Sequence, residues 1–293
     1  MASSEAVALE RLGRADVDAG VRLSDGARWN QTARDWAFFV DHGETIGVRD
    51  DAGELVASAA ALPYDGGVGW VSMVLVDPCH RHRGIATRLL GASVEALRGA
   101  GRVPVLDATP AGAAVYRRSG FAPGFVFERW EGDTDCAGAG AGSANREGDA
   151  RIAGVVEVAD ERAVDALLAL DRSVWSIGRA PLLRDFLARP GTRAWLAADA
   201  SGFAVVRVGR RAYQLGPIVA SDAASALALA NAALASVRGP VFIDMPAHAL
   251  ALADALAQRG FARQRPFVRM ALGDAPALAA SARVFAVAGP EFG

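Results

Sequence analysis

Apolar and polar positions along the chain fall into short blocks whose period switches between that of a strand and that of a helix. TIGVRD and ELVASAAALPY are separated by DDAG, where Asp51 and Gly53 supply turn chemistry, so the pair reads as a hairpin. GWVSMVLVDP is a β-prone run stopped by Pro78. From Ile85 to Leu97, Ile85, Leu89, Ala92 and Ala96 form the stripe of an amphipathic helix that Gly99 and Gly101 close. VPVLDA predicts a strand, AGAAVYRRS a short helix ended by Gly120, and FVFERW a further strand. Ahead of them, LERLGRADVDAGVRLSDG predicts a strand or turn and then a helix ending near Gly26. In RWNQTARDWAFFV, Trp29 and Trp36 are spaced to share one helix face.

The same order returns further along. AYQLGPIVASD resembles GWVSMVLVDP, AASALALANAALASV stands where the glycine-led helix stood, and PVFIDMP matches PVLDATP. ALALADALAQRGF matches AGAAVYRRSGF, and FVRM matches FERW, so the chain is a duplication of one α/β unit. The expected organisation is a first domain over residues 1–130, a linker over 131–150 and a second domain over 151–293. The linker, EGDTDCAGAGAGSANREGDA, holds too little apolar surface to order itself. Its GAGAGS is not a dinucleotide fingerprint, because no strand precedes it and no helix follows.

Composition narrows the function classes. Hydrophobic residues are 52% and charged residues 22% of the 293, a globular balance. Thirty-one basic and 33 acidic side chains give a net charge of -2, which carries no electrostatic footprint for nucleic acid. The two cysteines, Cys79 and Cys136, make neither a disulfide framework nor a CxxC metal motif, and no metal is expected. The first 20 residues lack an apolar signal core and no uninterrupted apolar run reaches 18 residues, so the expectation is a soluble cytoplasmic protein with no membrane partner.

The chemistry concentrates in DPCHRHRGIATRLL, Asp77 to Leu90. The first turn of a helix has unpartnered N–H groups and the positive end of the macrodipole, so it receives anions wherever a backbone approaches closely. Gly84 and Ala86 remove bulk there, Arg81, His82 and Arg83 add basic character, and Thr87 adds a hydroxyl. Hydrogen bonds to a charged group contribute roughly 1.5–3 kcal/mol each, enough in number to hold a pyrophosphate. The alternative is a solvated helix start, although basic residues at that end oppose the dipole and call for a reason. The Walker pattern GxxxxGK[ST] is absent.

The RxxGxA of Arg81, Gly84 and Ala86, following the strand WVSMVLVDP and leading into IATRLL, resembles the acetyl-CoA motif of the GNAT N-acetyltransferase superfamily. VLDATPAGAAVYRRSGF resembles its second signature, a strand, a short helix, a tyrosine and a Gly-Phe pair. The resemblance spans Leu9–Trp130, and Ile152–Gly293 is similar to the degenerate second half of tandem bacterial members. It implies an α/β (α+β) fold of two GNAT-like domains, each a mixed, mostly antiparallel sheet flanked by helices. It also implies that the backbone of Met73, Val74, Leu75 and Val76 pairs with pantetheine. Arg81, His82, Arg83, Gly84, Ile85, Ala86 and Thr87 would hold the pyrophosphate, and Tyr116 would face the CoA sulfur. Thr109 stands where many members carry an asparagine, and it supplies one donor in place of an amide's paired donor and acceptor.

Acetyl transfer needs a neutral amine, a polarised thioester and a stabilised thiolate. Free tyrosine ionises near pH 10 and a thiol near 8.5, so Tyr116 is expected to donate a hydrogen bond more than to surrender its proton. WVSMVLV lacks the glutamate that serves many relatives as base. Asp107 is the first candidate for that role and Asp35 the second; an N-cap role for Asp107 ahead of Pro110, and water as base, stay open. Trp29 and Asn30, with Asp35 adding polar reach, are the expected acceptor pocket, while Trp36, Phe38 and Phe39 pack in the core. Asp244 and His248 are further candidates from the second copy. That copy reads ASDAASALAL where the basic turn should be, so it is expected to complete the structure, line the acceptor cleft or form a homodimer contact. The expected function is acetyl transfer from acetyl-CoA to a primary amine of a small molecule or amino acid. The alternative is a non-catalytic acyl-CoA sensor.

Overall fold

In the computed structural model, which describes residues 8–135, 154–175, 177–275 and 281–293, the predicted blocks become elements for local reasons. Cys136 and linker residues 136–150 lie outside the described residues. The first copy runs β1 (Glu10–Arg11), α1 (Val17–Gly26), α2 (Ala33–His42), β2 (Glu44–Arg49), β3 (Leu55–Pro63), β4 (Val68–Val76), α3 (Ile85–Gly99), β5 (Val103–Ala108), α4 (Pro110–Arg118) and β6 (Ala122–Asp133). The DDAG turn closes because the Asp50 carboxylate accepts from the Ala52 and Glu54 amides and Gly53 takes φ 81°. Helix α2 starts later than the tryptophan spacing predicts. Thr32 and Asp35 form a capping box, so Trp29 precedes the helix and does not share a face with Trp36.

The second copy contains β7 (Val155–Glu157), α5 (Glu161–Trp175), α6 (Ala180–Ala188), β8 (Arg193–Ala197), β9 (Phe203–Arg207), β10 (Tyr213–Val219), α7 (Ala223–Ala235), β11 (Pro240–Pro246), α8 (Leu250–Ala257), β12 (Ala262–Ala271) and β13 (Val284–Ala286). Both copies share a single sheet ordered β1-β2-β3-β4-β5-β12-β6-β11-β10-β9-β8-β7, with β13 on β10. The last strand of each copy has crossed over. Strand β12 lies beside β5 of the first copy, β6 lies beside β11 of the second, and the two pair with each other.

A buried ion pair crosses each exchange. Arg269 on β12 donates two hydrogen bonds of 2.8 Å to Asp107 on β5. Arg129 on β6 donates bonds of 2.9 and 2.7 Å to Asp244 on β11, which also accepts from Gln214. Asp107 and Asp244 each stand directly opposite their arginine in the strand ladder, and the arginines occupy matching places in FERW and FVRM. Arg269 lies over Trp70 and Phe125, each 4.7 Å from ring centroid, so its charge is desolvated among aromatic faces. On this face Trp36, Phe39, Phe186 and Phe292 build a core that both copies share; on the other, Leu90, Leu97, Phe121 and Met270 pack α3 and α4 to the sheet.

Both copies also share a forked strand pair. Strand β4 pairs with β5 only over Val68–Trp70, and β10 with β11 only over Tyr213–Leu215, after which each pair parts. Each inner strand carries a bulge at the fork, at Met73 (φ 53°) in β4 and at Gly216–Pro217 in β10. Strand β13 fills the second fork. It pairs with β10 through Ile218–Ala286 and Val219–Val284, and Val287 N–H donates to Asp244 O at 2.9 Å. Glycine is required at 216, where a Cβ would strike the Val287 carbonyl. Among the described residues no such strand enters the first fork.

Removing one partner of a buried pair strands the other charge. Arg269→Ala is therefore expected to lower stability by about 3–5 kcal/mol. Because β12 belongs to the sheets of both copies, one cooperative transition should shift as a whole. Equilibrium urea unfolding, followed by tryptophan fluorescence and by circular dichroism, checks both statements.

Candidate active site

The basic turn sits where β4 ends and α3 begins. Asp77 caps a short turn by accepting from the Cys79 amide, and Gly84 enters the α3 N-cap position with φ 75°. That left-handed conformation favours glycine, and the space beside its Cα is open. Among the described residues no side chain caps α3, which leaves the amides of its first turn without the partner a cap supplies. Arg81, His82, Arg83 and Thr87 are exposed around them, Ile85 anchors the helix in the core, and Ala86 is half-buried. Arg81 Nε donates to Val76 O at 3.1 Å and Arg83 to Cys79 O at 3.4 Å, which leaves most of each guanidinium free.

The open fork borders a cavity of about 230 Å³. One wall is Val71, Ser72, Met73 and Val74 of β4; another is Leu106 and Asp107 of β5 with Thr109, Gly112 and Tyr116 of the α4 segment. The third comes from Trp29, Asn30 and Gln31, and the fourth from Arg129, Arg265, Phe267, Pro290 and Glu291. Leu75 and Val76 line a neighbouring cavity beyond the bulge. The Met73 carbonyl accepts from Ser58 Oγ at 2.9 Å, so the bulge has a buried partner.

Tyr116 is half-buried with its ring tilted against Phe121 at 6.1 Å, and burial pushes its phenol pKa above the usual tyrosine value. The phenol thus keeps its proton at neutral pH. Thr109 caps α4, its hydroxyl oxygen accepting from Gly112 N–H at 3.3 Å, while still facing the cavity. Asp107 lines the cavity but both its oxygens are engaged by Arg269. Burial raises its pKa and the arginine opposes the rise.

Other expected residues do different work. Asn30 Oδ1 accepts from the amides of Arg211 and Ala212 and its Nδ2 donates to Ala212 O, so its side chain clamps the loop before β10. Asp35 does not line the cavity; it caps α2 and accepts from Arg189 at 2.6 Å. Asp244 is spent on Arg129 and Gln214, and His248 Nε2 lies 2.8 Å from Val284 O against β13. Trp29 faces the cavity, as does Gln31, whose buried Oε1 has no partner.

Glu291 carries no signal in the sequence. It arrives on the segment after β13, held where Ser72 Oγ donates to its backbone carbonyl at 2.6 Å and Tyr64 OH to that of Phe292 at 2.9 Å. Burial raises the pKa of its carboxyl, and Arg207, 3.4 Å away, opposes the rise. Among the described residues no group of three or more His, Cys, Asp or Glu side chains is placed to share a metal, and no helix is long and apolar enough to cross a membrane.

With this geometry in view, comparisons with known proteins agree on one family. The acetyltransferase (GNAT) family profile matches residues 16–121, and the acetyltransferase (GNAT) domain profile matches residues 167–286. Among solved structures, an acetyltransferase-like protein from Pyrococcus horikoshii is 18% identical with a TM-score of 0.78, over 99% of this chain and 96% of its own. A tandem GNAT protein from the clavulanic acid biosynthesis pathway is 19% identical with a TM-score of 0.63, over 92% and 100%. A GCN5-related N-acetyltransferase from Sphaerobacter thermophilus is 13% identical with a TM-score of 0.61, over 94% and 98%. No curated protein matches the chain. Two family profiles in series, on a sheet that repeats one unit twice, make this chain a tandem member of the GNAT acetyltransferases, an acyltransferase family.

Proposed function

We propose that the chain moves an acetyl group from acetyl-CoA to a primary amine of a small molecule, and that it does so at the first fork alone. The observation that carries this reading is the contrast between two equivalent forks, one open beside an uncapped glycine-led helix and the other filled by β13. The first fork fits the donor. Its free strand edge at Met73 and Val74 suits a pantetheine arm, and the first-turn amides of α3, with Arg81, His82 and Arg83 around them, suit a pyrophosphate. When bound there, acetyl-CoA supplies an activated thioester carbonyl.

The chain's own groups then divide the work. Tyr116, kept protonated by burial, donates to the departing sulfur. Trp29 and Phe267 give the acceptor side apolar walls that exclude water. Donor and acceptor approach from opposite faces of the sheet, because α3 and α4 cover one face while α1, α2 and the segment carrying Glu291 cover the other.

Calorimetric titration of acetyl-CoA is expected to give one site per chain at micromolar strength, abolished by Gly84→Glu, which adds a negative charge and strains a left-handed position. Two sites, or unaltered binding in the variant, would sink the assignment. Tyr116→Phe should keep that binding and lower kcat by about 10²-fold, read by thiol release. Binding without turnover in the wild-type chain with any amine would favour the sensor reading. As the folded-state pKa of Tyr116 lies above its ordinary value of about 10, its proton is lost only on the alkaline side of that value. A profile of kcat should accordingly show no falling limb from Tyr116 between about pH 7 and 10.

A further inference from the structure

The acceptor side of the cavity has a charge pattern of its own. Arg129 is compensated by Asp244, Asp107 by Arg269, and Glu291 by Arg207. Arg265 is the cavity-lining charge left over. Its guanidinium stacks over Phe267 at 5.2 Å, its Nε is buried without a hydrogen-bond partner, and among the described residues no carboxylate lies within ion-pair distance. Arg265 is half-buried, and a partly desolvated cation with an orphaned buried donor is costly unless something anionic arrives to receive it. The same cavity is lined by two residues that carry acceptors, Glu291 with its carboxylate and Gln31, whose buried Oε1 has no partner among the described residues.

We propose that the acceptor is an amino-carboxylate, an amino acid or close analogue, whose carboxylate pairs with Arg265 and whose amino group faces Glu291 and Gln31. The inference rests on the acetyl-transfer reading and names its substrate class. Charge supports it. The attacking form, a neutral amine bearing a carboxylate, carries one negative charge, which balances the uncompensated Arg265. A simple diamine or a basic peptide tail would add positive charge to a wall that already has one in excess.

Glu291 is then the base that β4 lacks. The acceptor's ammonium gives one proton to the Glu291 carboxylate, and the freed nitrogen bonds to the thioester carbonyl carbon. The carbon–sulfur bond breaks, the sulfur takes the second proton of the nitrogen, either directly or through Tyr116, which gives its phenol proton to the sulfur and takes the nitrogen's in return, and Glu291 releases its proton to water. The products are an acetamide and free CoA. Asp107, both of whose oxygens accept from Arg269, and Asp35, which does not line the cavity, are not placed for this role. A carboxyl whose pKa is raised by burial is better matched to an ammonium than an ordinary one, which supports the same assignment.

The test is a calorimetric titration of the standard L-amino acids, each against its decarboxylated amine. At least one amino acid is expected to bind while its amine does not. Arg265→Gln should weaken that binding about 10- to 100-fold, and Arg265→Lys should weaken it less. Glu291→Gln should leave the variant able to bind acetyl-CoA and lower kcat for that amino acid by about 10²-fold. The proposal is overturned if amines bind as tightly as their amino acids, if no amino acid binds at millimolar concentration, or if Arg265→Gln binds like the wild type. Loss of acetyl-CoA binding in the wild-type chain would instead overturn the transfer reading, and the amino-acid titration would still report on the pocket.

Discussion

Two buried aspartate–arginine pairs, Asp107–Arg269 and Asp244–Arg129, hold this architecture together. Each links a strand of one copy to the last strand of the other, so neither copy has a complete sheet alone. Such pairs are expensive to desolvate, and their worth lies in what a wrong pairing would leave behind. A strand that failed to cross over would bury a carboxylate without its arginine. The aromatic faces around Arg269 add to this constraint by excluding the water that would otherwise relieve an unpaired charge.

The exchange also builds the acceptor wall. Phe267 and Arg265 lie on β12 just beyond its pairing with β5, so they reach the first fork only because β12 has crossed to it. Arg129, on the returning β6, lines the same cavity. A fork that would otherwise open to solvent thereby gains apolar and charged side chains from both copies.

The second fork has followed another course. Without RxxGxA and its basic turn, it has a neutral helix capped by Asp222 in place of an anion site. Strand β13 occupies the space and makes the backbone hydrogen bonds that an extended ligand would otherwise supply. From there the chain turns back across Arg207 and Ser72 and delivers Glu291 to the first fork. One copy's unused cleft thus becomes the route by which the other receives a buried carboxylate.

Local chemistry was readable from the sequence because it acts over a few residues. The DDAG turn, the glycine stop of α3, the glycine-led start of that helix and the Tyr116 helix follow from spacing and conformational preference within one or two turns of chain. The start of α2 lies later than the spacing of Trp29 and Trp36 predicts, since the capping box of Thr32 and Asp35 outweighs a pattern of apolar spacing. Strand β13, the crossing of β6 and β12, and the gathering of Arg265, Gln31 and Glu291 were decided only in the tertiary structure. Backbone hydrogen bonds are alike for every residue, so no local signal says which edge a strand will choose. Arg269 meets an aspartate 162 positions away and Glu291 a serine 219 positions away; such partners are selected by the burial of charge and apolar surface in the folded whole.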